Sequence, residues 1–262
     1  MKMTLLEITQ DILNDMDGDE VNSIEDTFEA SQVAQIIKST YFAMLSNRNW
    51  PHTRQAIQIT PSGDSALPTH MVIQDEIKEL CFINYNKIKN SETRKVYKPI
   101  KWLEPDDFLR VPNRRDNTSS NIDVITDPTG VELLIKNDLA PTYYTSFDDT
   151  QLVFDSYDAA VDTTLQQSKV QAQAYVMPTW SPQDDFIPDL PTEAFTALLE
   201  DSKSRAMLKL KQVSDVKAEQ EASRQQRWLS RKAWRAHGGI QFPNYGRNTN
   251  KYRDVTFRDE DR

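Results

Sequence analysis

The stretch DTFEASQVAQIIKSTYFAMLSNRNWPHTRQAIQI, residues 26–59, decides the fold. In its first half Phe28, Val33, Ile36, Ile37, Tyr41, Met44 and Leu45 recur at three- and four-residue spacing, which predicts a helix over 26–48 with one wide apolar face. Trp50-Pro51 then turns the chain, because the residue before a proline disfavours the helical region. Beyond it Ala56-Ile57-Gln58-Ile59 reads as a strand. The hydrophobic period has switched from about 3.6 to 2.

Toward the N-terminus, Thr4 and Glu7 stand at capping-box spacing, and Leu5, Leu6, Ile8, Ile12 and Leu13 supply the apolar face of a helix over 4–14. An acidic turn over 15–20, containing Gly18, ends it. In the other direction short strand-like runs continue. They are Leu80-Cys81-Phe82-Ile83-Asn84-Tyr85, Lys95-Val96-Tyr97-Lys98, Val131-Glu132-Leu133-Leu134-Ile135, Thr142-Tyr143-Tyr144-Thr145-Ser146-Phe147, Gln151-Leu152-Val153-Phe154 and residues 171–177. Pro61-Ser62-Gly63, Asp127-Pro128-Thr129-Gly130 and Asp148-Asp149 punctuate them. Residues 103–109 predict a short helix behind Glu104-Pro105, and 113–121 a polar, mobile loop. The helical period returns at Leu190-Pro191-Thr192 and predicts one helix over 191–235, stopped by Gly238-Gly239.

The expected fold class is α+β. Helices from both ends of the chain form a bundle (1–51 and 186–235), residues 52–185 form a β-rich domain, and 236–262 form an extended arm.

Charge is unevenly spread. The 262 residues carry net charge -9, but residues 201–262 hold 15 Lys and Arg against 8 Asp and Glu, leaving 16 basic and 32 acidic residues on the rest. A basic end suits nucleic acid or an acidic protein surface, whereas the acidic body repels phosphate. No window approaches the roughly 18 consecutive apolar residues of a membrane span, and no secretory leader is expected. A single cysteine excludes an internal disulfide, and Cys81, among apolar strand residues, is expected to be a small buried hydrophobe.

Little in the sequence invites catalysis. Asp15, Asp17 and Asp19 space oxygen ligands as a calcium loop does, but Glu20 stands where the sharp turn needs glycine and Asp26 where a longer glutamate belongs. His52, His70 and His237 fit no metal spacing and are expected at the surface or in turns. Asp106-Asp107 and Asp184-Asp185 are adjacent pairs that splay apart. Phosphate-binding fingerprints are missing, and no cofactor is expected. An interface helix stands out. Arg224, Trp228, Arg231 and Arg235 share a broad face, with Trp234 beside them. Arg and Trp anchor protein interfaces, and they also hold phosphate and stack on bases; Trp packed inside with arginines outside is the plainer alternative.

The order of these pieces resembles a family. Val21-Asn22-Ser23-Ile24 leading into the second helix, the Asn47-Arg48-Asn49-Trp50 stretch, and Asp189-Leu190-Pro191 before the returning helix resemble the head-to-tail adaptors of short-tailed bacteriophages, the tail tubular protein A family. The likeness covers most of the chain as layout, and residues 52–180 match in character only. It implies a non-enzymatic virion protein made in the host cytoplasm. Its partners would be the portal protein, a tail nozzle of the tail tubular protein B kind, further copies of itself in a ring of typically twelve, and the genomic DNA passing through the lumen. The arm would dock on the portal through Ile240, Phe242, Tyr245, Arg247, Tyr252, Arg253, Phe257 and Arg258, ordering as it docks. The rival functions are a nucleic-acid-binding module using the basic segment, and a carboxylate-metal hydrolase.

Overall fold

The structure, a computed structural model, describes residues 2–87, 95–160 and 170–235, with side chains as far as 230. It is α+β. Helix α1 (Leu5–Asp15) begins at Thr4, whose hydroxyl accepts the Glu7 N–H at 3.2 Å while the Glu7 carboxylate accepts the Thr4 N–H at 2.8 Å. This is the reciprocal cap that the spacing predicts. The next two N–H groups, of Leu5 and Leu6, donate to the carbonyls of Phe186 and Asp184 at 2.7 and 3.2 Å. Helix α2 (Phe28–Ser46) starts at Thr27, whose hydroxyl accepts the Ala30 N–H. Between the two helices the Asp26 carboxylate accepts from Asn22 and Ser23, and the Asp184 carboxylate accepts the Ile24 N–H at 2.8 Å.

Strands β1 (Arg54–Ile57), β2 (Thr60–Pro61), β3 (His70–Val72), β4 (Ile77–Asn86) and β5 (Tyr97–Trp102) follow. After the short helix α3 (Pro105–Leu109) come β6 (Ile122–Thr126), β7 (Glu132–Lys136), β8 (Tyr143–Thr145), β9 (Gln151–Phe154) and β10 (Val170–Val176). Eight strands make one sheet in the order β1-β10-β4-β5-β8-β9-β3-β2, antiparallel except for β5 with β8, while β6 and β7 form a separate hairpin. Helices α4 (Phe195–Ala206) and α5 (Val216–Arg235) close the described chain.

Three apolar clusters hold these parts. The largest joins Leu5, Ile8 and Ile12 of α1, Val33, Ile37 and Tyr41 of α2, Phe195 and Leu198 of α4, and Leu229 of α5. Another fills the sheet around Met71, Ile83, Tyr85, Leu152 and Phe154. The smallest packs Phe108 of α3 against Ile125, Leu133 and Ile135 of the hairpin.

Helices and sheet are joined at the end of α2. Lys78, on β4, donates to the carbonyls of Leu45, Ser46 and Arg48 at 2.8, 2.9 and 2.7 Å. A helix leaves its last carbonyls unbonded and carries partial negative charge there, so an ammonium is well suited to that position. Arg48 in turn lies over the Trp50 ring and donates to the Gln226 carbonyl of α5 at 3.3 Å. The Trp50 indole donates to the Met44 carbonyl.

Four sequence expectations need correction. The helix over 191–235 is broken: Thr192–Ala194 is a 3-10 turn, α4 ends in a π turn (Met207–Lys211), Gln212 is left-handed at φ 57°, and α5 starts afresh. Asp215 makes the restart, its carboxylate accepting the Lys217 and Ala218 N–H groups. Cys81 is exposed, because the register passes from Gln173↔Phe82 to Ala174↔Leu80 and leaves Cys81 on a bulge. His70 is 1% exposed, deep in the sheet. The polar loop over 113–121 is tied down at Arg115, whose guanidinium reaches the Leu134 carbonyl at 2.8 Å and the Asp155 carbonyl at 2.6 Å. The arm over 236–262 and His237 lie outside the described residues.

Lys78→Met keeps the stem but strands three helix-end carbonyls. It should destabilise the fold by about 1–3 kcal/mol in urea unfolding, and Lys78→Arg should recover part of that loss.

Candidate functional site

Helix α5 doubles back along α4. The Gln226 amide donates to the Asp201 carboxylate at 3.4 Å, and Ala218, Ala222 and Leu229 are buried at helical spacing. That stripe fixes which face α5 turns outward. Arg224 and Trp228, one turn apart, line an open depression together with Arg227 and Gln225, and Glu193 from the turn before α4 forms the opposite side. The Trp228 ring is 48% exposed, and Arg224 pairs with Glu221 at 3.3 Å.

The structure therefore brings together two of the sequence-predicted interface residues, Arg224 and Trp228. It places Arg231, Trp234 and Arg235 on the last turns of the same helix, where their side chains lie outside the described residues. The eight arm residues Ile240, Phe242, Tyr245, Arg247, Tyr252, Arg253, Phe257 and Arg258 lie outside them as well. Trp228 is not the packed-in tryptophan of the plainer alternative, because Leu229 takes the inward position.

Two buried polar groups were not visible in the sequence. The His70 Nε2 lies 2.8 Å from the Asp127 carboxylate, which also accepts the N–H of Thr129 at 2.9 Å and its hydroxyl. Thr69 stands 3.3 Å from Nδ1 of the same ring. Burial pushes the Asp127 carboxyl up, but the bonds from Thr129 and His70 outweigh it and hold the group below its ordinary range. A hydroxyl, an imidazole and a carboxylate in a row resemble a hydrolase relay. Here Thr69, His70 and Asp127 are 0%, 1% and 5% exposed, so the row is closed off from solvent. Their effect is to fasten the β6–β7 turn to β3. The second group is Arg115 with Asp155, whose carboxylate also accepts the Thr142 and Tyr143 N–H groups at 2.8 and 2.9 Å. Signals existed for both: an Asp-Pro-Thr-Gly turn and the Arg114-Arg115 pair in a polar loop. Neither names its partner, which is distant in sequence.

The acidic turn between α1 and α2 is used internally. Asp15 pairs with Lys203 of α4 at 2.5 Å, and Asp26 bonds backbone N–H groups. No group of three His, Cys, Asp or Glu side chains is placed to hold a metal ion among the described residues. No helix there is long and apolar enough to cross a membrane. The chain matches no protein-family model and no curated protein.

His70→Leu leaves the Asp127 carboxylate without its buried partner and should cost about 2–3 kcal/mol in chemical denaturation. Because Asp127 is depressed in the folded state, its contribution is complete above the ordinary carboxylate range and is lost as pH falls through the lowered value. Asp127→Asn should flatten that acid limb of the stability curve and leave the neutral-to-alkaline limb parallel to wild type.

Proposed function

We propose that the chain is a structural head-to-tail adaptor of a short-tailed phage virion, a ring-forming subunit between the portal and the tail nozzle. The observation that carries this reading is the exposed Arg224–Trp228 face of α5, on the helix that leads directly into the basic, aromatic run 240–258. Such a face supplies the residue types that anchor interfaces, and the run behind it is too short to bury its own large side chains. In this reading the helices form the portal-side bundle, residues 52–185 face the nozzle, and copies repeat around the DNA channel. The excess of acid on residues 1–200 suits a conduit, since like charge keeps passing DNA from adhering. The buried Thr69–His70–Asp127 row supports a non-enzymatic role, because its chemistry is spent on holding a turn.

One arrangement favours a nucleic-acid module instead: Arg224, Arg227 and Trp228 side by side. Glu193 and Glu221 share the same surface and weaken it as a phosphate site.

Negative-stain images of the purified protein mixed with the portal of the same virus separate the two. Rings seated on the portal support the adaptor; isolated subunits with duplex affinity falling steeply in salt support the module. Deleting 238–262 should leave the far-ultraviolet circular dichroism of the body unchanged and abolish portal attachment. Attachment at unchanged affinity would move the interface onto the helices.

A further inference from the structure

A second surface lies beside Lys78. Strand β4 pairs with β10 along most of its length, but with β5 only from Ile83↔Ile100 to Asn86↔Tyr97. Beyond Ile100 strand β5 diverges and pairs in parallel with β8. On that side of residues 77–82 no strand pairs with β4 among the described residues. A groove of about 610 Å³ opens there. Five consecutive residues of β4, numbers 77–81, line it. A strand that presents a face contributes every second residue, so a consecutive run marks the backbone edge. The far wall is Trp102, packed edge-on against Tyr144 at 5.2 Å, with Leu152 beyond.

The chemistry of the groove is one-sided. Glu79, whose carboxylate accepts the Asn49 side-chain amide, and Asp149 line it and are exposed, and Asp75, Glu76 and Asp148 are exposed beside them. Lys78 is the only cation on its walls among the described residues, and its ammonium is committed to the carbonyls of Leu45, Ser46 and Arg48 at 2.7 to 2.9 Å. Trp102 and Phe82 remain 44% and 42% exposed. The Ile77 N–H already bonds the Gln74 carbonyl at 2.9 Å; over 78–82 the edge, unpaired among the described residues, spans about 17 Å and offers backbone donors and acceptors to an incoming chain.

The geometry points to a strand-addition site: the groove beside residues 77–82 receives an extended segment of a partner protein, with valine- or phenylalanine-like side chains alternating with lysine or arginine. Backbone pairing along β4 supplies the affinity, Trp102 and Leu152 receive the apolar side chains, and Glu79 with Asp149 select the basic ones. The inference stands on this edge and does not rest on the adaptor reading.

Cys81, the chain's single cysteine, is exposed on the groove wall and reports its occupancy. The full chain is alkylated with iodoacetamide alone and with three blocked heptapeptides. One alternates lysine with valine and phenylalanine, one has proline at its centre, and one has glutamate in place of lysine. At ten times its Kd the lysine peptide should slow alkylation about tenfold, while the other two leave the rate nearly unchanged. The double variant Glu79→Lys, Asp149→Lys is read against its own rate without peptide, because ammonium groups beside the thiol speed alkylation, and should lose the protection; Trp102→Ser, on the opposite wall, should weaken it independently. Equal protection by the proline peptide would reduce the effect to charge adsorption and overturn strand addition. No protection by any peptide would overturn the site. If the chain alone already shields Cys81 and deletion of 238–262 exposes it, the occupant is the chain's own segment and the partner assignment fails. Shielding that grows with protein concentration would assign the groove to a second copy, with the same consequence.

Discussion

The ammonium of Lys78 on the last carbonyls of α2 is the contact through which the two halves of the molecule know each other's position. Helix α2 carries the largest apolar cluster, and β4 sits near the centre of the eight-stranded sheet. A lysine from one bonds the last two carbonyls of the other and that of Arg48 just beyond its end. Burial pushes its pKa down, with Glu79 acting against that, yet three acceptors at the negative end of a helix give the charge a place where it is satisfied. Arg48 and Trp50 extend the same joint. The first reaches α5, and the second ties the chain back to α2 just before it enters β1. The outward direction of the Arg224–Trp228 face is therefore set partly by residues far from it in sequence.

The helical half was readable because its information is local. The Thr4–Glu7 cap and the apolar spacing along α1 and α2 operate within a few residues, and both are found as read. The break inside 191–235 was missed because the period continues across it. Met207 and Leu210 still pack on the helical cluster, so the apolar stripe runs on while the backbone turns. The signal was present in Ser214-Asp215, which favours a cap over a helix interior.

The sheet was less readable because its information is not local. Strands β3 and β6 were not foreseen: β3 has three residues, and β6 is held by its pairing with β7 more than by its own pattern. The bulge at Cys81 shifts the alternation by one residue, and a one-residue shift turns an inward side chain outward. His70 looked like a surface histidine because its partner, Asp127, lies 57 positions away. A buried polar group is legible only together with what satisfies it. The same limit explains why Arg224 and Trp228 were found from spacing while Glu193, across the depression, was not.

The open edge of β4 follows from the Lys78 joint. To place Lys78 under α2, the first half of β4 must follow the helices, and β10 goes with it: the Met177 N–H bonds the Glu76 carbonyl at 2.7 Å and the pairing continues to Val176↔Ile77. Strand β5 cannot follow, because Lys101 and Trp102 pair with Tyr143 and Tyr144 of β8. Two sets of bonds thus pull neighbouring strands apart on the N-terminal side of Ile83, and the bulge at Cys81 adds twist at the point of separation. An unpaired edge is ordinarily a hazard that proteins blunt with charge, and here the acidic residues Glu79 and Asp149 stand at its rim. They repel a second acidic edge of the same kind, which disfavours pairing of one groove with another, while leaving the edge open to a segment of opposite charge.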